Sequence, residues 1–94
     1  MRIELADVVV SANGRDEGKR FLVIETEGEY SLIANGKGRR VEKPKRKKNK
    51  HLRLEDKADG RIAEKLLGGE KPTNNEVRRV LAGVAAVRGE KGGM

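Results

Sequence analysis

Two segments of this sequence carry residue types that could do chemistry. Asn13-Gly14-Arg15-Asp16-Glu17-Gly18-Lys19-Arg20 is a glycine-bracketed turn between two apolar runs. A basic tract, Lys37 to Arg53, follows it. Glycines at such a turn allow tight reversal and let backbone N–H groups approach a ligand closely. The tract holds ten Lys/Arg and one acid, Glu42, whereas acids slightly outnumber bases elsewhere. The net charge of +7 is therefore a local excess, the form a polyanion-binding surface takes. A flexible, solvated basic loop is the bland alternative. The chemistry implied is phosphate binding, with RNA as the first candidate.

Other chemistries lack their residues. The chain has one histidine, His51, no cysteine, and serines only at Ser11 and Ser31. A catalytic triad needs a nucleophile, a base and an orienting group, and none is in sight; the protein is not expected to be an enzyme. His51 lies between Lys50 and Arg53 with no second metal ligand apparent, so no metal site is expected. The turn lacks the lysine and following Ser/Thr of a P-loop. Asp16 and Glu17 could chelate a cation, but an Asp in a loop more often caps its own backbone. No cofactor is implied.

The elements that must position these residues can be read coarsely. Asp7 to Ala12 reads as a strand centred on Val8, Val9 and Val10, and Arg20 to Thr26 as a second. The continuous run Phe21-Leu22-Val23-Ile24 suggests a strand covered on both faces. Glu29 to Ala34 is a third. Asn35-Gly36 is a hairpin signal, since a type I′ turn needs positive φ at both central positions. Arg39 to Glu42 then returns as a fourth strand, ended by Pro44. Lys50 to Leu54 is a short closing strand. This density of strands and tight turns predicts a small closed or half-closed antiparallel barrel.

The last third changes character. Ile62 and Leu66 fall one turn apart in a helix over residues 61–67, stopped by Gly68-Gly69. Thr73-Asn74-Asn75-Glu76 is a capping box. The helix after it runs to about Val87, with Val77, Val80, Leu81 and Val84 on one stripe and Arg78 and Arg79 off it. Two short helices are marginal alone in water, so they dock on the barrel or bind a partner. Residues 1–57 are thus expected to form the barrel. Residues 58–94 form a helical extension packed on it, with a frayed end from Gly89 to Met94.

Composition limits the setting. Apolar residues make up 35% and charged residues 39%, which leaves a thin core under a charged surface. Without cysteine no disulfide can staple it, and a reducing compartment suits it. Met1 to Asp7 carries two acids and no apolar stretch, unlike a signal peptide. No run reaches the roughly 18 apolar residues of a membrane span. The expected location is the cytoplasm.

Val8-Val9-Val10-Ser11, Gly14-Arg15-Asp16-Glu17-Gly18-Lys19 and Leu22-Val23-Ile24 together resemble a KOW motif. The set continues with Tyr30, Arg39-Arg40, Lys43-Pro44-Lys45, Lys50-His51-Leu52 and the helix opening Thr73-Asn74-Asn75-Glu76-Val77-Arg78-Arg79. It looks like a family of short bacterial KOW-domain RNA-binding proteins, themselves similar to an archaeal and eukaryotic large-subunit ribosomal protein. The resemblance spans residues 3 to 82. Phe21 stands where the KOW pattern often has a second glycine, and Asp7 where the family often has a small residue. The resemblance implies an SH3-like barrel binding ribosomal or ribosome-associated RNA.

The expected RNA contacts are Asn13, Gly14, Arg15, Gly18, Lys19, Arg20, Lys37, Arg39, Arg40, Lys43, Lys45, Arg46, Lys47, Lys48, Lys50 and His51, with turn and tract near one face. Phe21 and Tyr30 are the only aromatics, and both fall in predicted strands. Readers of unpaired bases ordinarily present exposed aromatics, so backbone and shape recognition is expected. The free protein is expected to be a monomer. A KOW module binding a protein of the transcription or translation machinery is the alternative. A membrane-surface role is disfavoured, because no amphipathic helix with large apolar residues adjoins the cations.

Overall fold

Val8, Val9 and Val10 are wholly or almost wholly buried, which only a central strand covered on both faces can achieve. The structure, a computed structural model, describes residues 2–87. Its strands are β1 (Asp7–Ser11), β2 (Arg20–Glu27), β3 (Tyr30–Ala34), β4 (Lys45–Lys48) and β5 (Leu52–Lys57). A 3-10 turn, Asn49–His51, joins β4 to β5, and helices α1 (Gly60–Leu67) and α2 (Asn74–Val87) follow. The strands form one antiparallel sheet in the order β4-β3-β2-β1-β5. The molecule is mainly β. Its sheet is open: β4 and β5 are the two edges, and no ladder joins them among the described residues.

Strand alternation sorts the apolar side chains into two layers. Val9, Phe21, Val23, Ile33 and Leu52 cluster with Ile3 on one face. Val8, Leu22 and Ala34 cluster on the other with Val41 and with Ile62, Leu66, Val77, Val80 and Val84 of the helices. Burying a side chain of this size contributes about 1.5–3 kcal/mol, so each helix gains its stability from the sheet beneath it. The pairing register slips between Val8 and Val9 against β5, and between Val23 and Glu25 against β3. Bulges of this kind bend a strand and increase its twist.

The helix ends are set locally. The Asp59 carboxylate accepts from the Ile62 N–H at 3.1 Å and caps α1. Thr73 Oγ1 accepts from the Glu76 N–H at 3.1 Å, while Glu76 Oε1 accepts from the Thr73 N–H at 2.9 Å, so the capping box forms. Lys65 on α1 reaches the same Glu76 carboxylate at 2.8 Å and ties the two helices together.

The segment between β3 and β4 departs from expectation. Arg39 to Glu42 is not a strand, and Asn35-Gly36 does not make a two-residue hairpin. Instead Asn35 Oδ1 accepts from the N–H groups of Lys37 and Arg39, at 2.9 and 3.0 Å. The Asn35 and Gly36 N–H groups donate to the Arg39 carbonyl, and the loop closes on itself. Val41 then turns inward and plugs the helix-side core, 3% exposed. The fourth strand lies after Pro44, within the basic tract itself. It forms by pairing with β3, from Tyr30↔Lys48 to Ile33↔Lys45. The closing strand also runs further than expected, to Lys57. Gly89 to Met94, expected to fray, lies outside the described residues. No helix among the described residues is long and apolar enough to cross a membrane.

Candidate nucleic-acid interface

The β1–β2 turn and β4 meet at one edge of the sheet. Gly14 and Gly18 both hold φ near +80°, the left-handed region open to glycine at no steric cost. The Gly18 N–H donates to the Ser11 carbonyl at 2.8 Å, and the Ser11 N–H to the Lys19 carbonyl at 3.0 Å, which fixes the turn on its own strands. Lys47 Nζ donates to the Asn13 carbonyl at 3.2 Å. Asn13 Nδ2 and His51 Nδ1 lie 2.6 Å apart, so His51 belongs to this edge.

Asp16 organises the cations here. It is 6% exposed, and its carboxylate faces three cationic side chains. Arg39 Nη2 donates to Asp16 Oδ2 at 3.3 Å, Lys45 Nζ stands 3.9 Å from the same oxygen, and Lys19 Nζ 3.8 Å from Oδ1. Three positive charges thus share one carboxylate, leaving a local surplus held in place by a buried anchor. Arg15, Lys37, Lys43 and Lys50 are exposed and carry no ion pair to a described residue.

The tract does not present a single face. Successive side chains of a strand point to opposite sides, and β4 obeys that alternation. Lys45 and Lys47 reach toward the β1–β2 turn. Arg46 and Lys48 lie over the Tyr30 ring, 3.7 and 5.8 Å from its centroid. Arg46 also meets Glu27 Oε1 at 3.0 Å. The expectation of turn and tract on one face therefore holds for Lys45 and Lys47 and not for Arg46 and Lys48. No strand is expected over residues 45–48 from the sequence, which does not foretell this division. Lys48 and Lys50 border an open groove of about 950 Å³ with Arg2, Asn49 and Leu52.

Arg20 and Arg40 are engaged within the molecule. Arg20 grips Glu55 on β5 in a two-pronged pair, with Nη2 3.0 Å from Oε2 and the side chains only 17% and 10% exposed. That pair ties β2 to the far edge strand across β1. Arg40 Nε lies 3.4 Å from Glu42 Oε1 in the open.

This edge is positioned by residues that the sequence did not mark as part of a site. Asn74 Oδ1, at the start of α2, accepts from the Val41 N–H at 2.8 Å. Its Nδ2 donates to both oxygens of Glu42, at 2.9 and 3.1 Å, and holds that carboxyl below the ordinary carboxylate range. Arg78 Nη1 donates to the Gly36 carbonyl. Gly36 lies so close to α2 that a Cβ there would stand 2.5 Å from the Asn74 carbonyl oxygen. The cationic loop is thus stapled to the first turns of α2. The sequence signal was slight: Arg78 fell off the apolar stripe, and Asn74 read only as part of a capping box.

Among the described residues no group of three or more His, Cys, Asp or Glu could hold a metal ion. The chain matches no protein-family model and no curated protein.

Proposed function

We propose that this protein binds RNA through the edge formed by the β1–β2 turn and β4, reading phosphate backbone and shape. The observation that carries the reading is the cluster of Lys19, Arg39 and Lys45 on the buried Asp16. The anchor orients the cations at no cost at the moment of binding, and the cluster keeps a positive surplus. Arg15, Lys43 and Lys47 belong to the same turn and tract and have no carboxylate partner among the described residues, beside a glycine turn that lets backbone N–H groups approach a phosphate. Tyr30, already covered by Arg46 and Lys48, offers little free ring for stacking.

The KOW-like reading belongs with this proposal. The strand order β4-β3-β2-β1-β5, the single 3-10 turn between the edge strands and the two bulges support a curled, SH3-like arrangement. On that reading the partner is ribosomal or ribosome-associated RNA in the cytoplasm, and the free protein is a monomer. The protein-partner alternative would use the apolar strands or the carboxyl-terminal helices. Here the stripe on α2 is taken up by the sheet, which favours RNA.

Binding of labelled RNA, DNA duplex and anionic vesicles across a salt series tests the proposal. About five phosphate contacts would give a slope of log K against log salt near −3.5 for a single strand and −4.5 for a duplex. Replacing Arg15, Lys43 and Lys47 together by Gln spares the Asp16 cluster. It should weaken RNA binding at least about tenfold and reduce the slope by about two to three. Unchanged RNA affinity in that triple variant would refute the proposed surface.

A further inference from the structure

A second basic concavity lies between α2, the β1–β2 turn and the loop after β3. It is a cleft of about 470 Å³ lined by Lys19, Arg20, Asn35, Lys37, Arg78, Leu81 and Ala82. Its lining holds four cationic side chains and no carboxylate. Glu55 occupies the Arg20 guanidinium, and Lys19 shares Asp16 with two other cations. Lys37 and Arg78 have no carboxylate partner among the described residues.

Arg78 is held for such a task. A guanidinium carries five N–H donors in a fixed fork. One N–H, from Nη1, goes to the Gly36 carbonyl, which fixes the side chain and leaves the remaining donors without a partner among the described residues. The close approach of Gly36 to the Asn74 carbonyl and the Arg78 side chain holds Lys37 at a set position relative to the helix. Leu81 and Ala82 give the cleft an apolar wall. Its volume falls within the range of small-ligand sites, about 300–1,000 Å³, with room for one phosphate and its sugar.

We infer that this cleft is a phosphate subsite for RNA, with Arg78 and Lys37 as the contacting residues, so that α2 forms part of the RNA footprint. The inference rests on the RNA-binding proposal and extends it. The helices then do more than cover the sheet: α2 supplies a guanidinium at a fixed distance from the Asp16 cluster, and the RNA backbone would run from β4 across the β1–β2 turn to α2. A bidentate guanidinium–phosphate contact is shorter and stronger than a neutral hydrogen bond.

The test is salt-dependent binding of a fluorescein-labelled RNA duplex and a labelled single strand to four full-length proteins. These are the wild type, Arg78→Gln, Lys37→Gln and Arg79→Gln. Arg79 is the control, because it lies one residue along the same helix and borders a different hollow beside Asp59. Arg78→Gln should weaken binding about tenfold. Both cleft variants should lower the salt slope by about 0.7–0.9. Arg79→Gln should match the wild type, and circular dichroism should show all four folded. Lys37→Gln guards against a loosened loop in Arg78→Gln, since the Lys37 side chain makes no hydrogen bond or ion pair to a described residue. Equal effects of Arg78→Gln and Arg79→Gln would reduce the result to net charge and overturn the subsite. Wild-type affinity in both cleft variants would also overturn it, leave the RNA-binding proposal standing and give the cleft to an acidic protein segment. A wild type that binds neither RNA would overturn both proposals.

Discussion

Asp16 and Glu42 are acids inside a basic region, and each does a different job there. Asp16 is buried and gathers three cations; without it Lys19, Arg39 and Lys45 would repel one another at the base of the turn. Glu42 is exposed and takes its hydrogen bonds from the Asn74 amide. That bond, with help from its own backbone and Arg40, lowers its pKa. Glu76 is lowered chiefly by Lys65 and then by the Thr73 N–H. Both carboxylates therefore bind a proton less readily folded than unfolded, where the pKa is about 4.3. Their contribution is complete above that pH and is lost as pH falls through the lower folded values. Lys57 and Lys65 are raised, by Asp7 and Glu76 respectively. Their contribution is complete below about pH 10.4 and is lost as pH rises through the higher folded values. Thermal melts should therefore show a plateau with an acid and an alkaline limb. Glu42→Gln keeps an acceptor for Asn74 but removes the titration, so its acid limb should be shallower than the wild type's. Superimposable acid limbs would show that Glu42 does not couple the loop to the helix.

At the scale of elements, what could be read in advance was what is local. Three valines in a row, the run from Phe21 to Ile24 and the Thr73 capping box each announce their element within a few residues. The loop over residues 35–44 could not be read that way. Its shape depends on Asn74, which is 33 positions from Val41, and on Arg78, which is 42 positions from Gly36. Four consecutive cations carry no hydrophobic alternation, so β4 is visible only once β3 is beside it. Of the candidate site, the glycine turn and its neighbours Lys45, Lys47 and His51 do come together, whereas the inward pairing of Arg20 and the anchoring role of Asp16 needed the fold. The docking of the loop on α2 has a direct measure. Gly36→Ala adds a Cβ 2.5 Å from a backbone oxygen at a φ of +77°. Gly18→Ala, at +85°, meets nothing within 4 Å. Gly18→Ala should cost about 1 kcal/mol and Gly36→Ala at least about 2 kcal/mol. In melting temperature that is roughly 4–8 °C against 8 °C or more for a domain of this size. Equal losses would mean that the loop is not seated on the helix.

Across the whole molecule, charge and topology divide the two sheet edges. β4 presents only Lys and Arg along its edge, and edges rich in cations resist pairing with other strands. β5 shields the other side of β1, with Asp7 opposite Lys57 and Ser11 opposite Leu52. Strand β1 is therefore central in space but waits for a partner made 41–50 residues later. At about 5–20 residues per second, a ribosome needs roughly 2–9 s to go from Ser11 to Lys57. For that interval Val8, Val9 and Val10 stand on an open edge with Asp7 as the sole charge in the strand. A fragment of residues 1–51 freezes this stage, and light scattering should find it aggregated at concentrations where the full chain stays dispersed; a clear, folded fragment would contradict the role given to β5. The register that joins first strand to fifth thus sets a schedule as well as a shape. During its own synthesis the chain passes through a vulnerable period that ends only when Leu52 to Lys57 arrive.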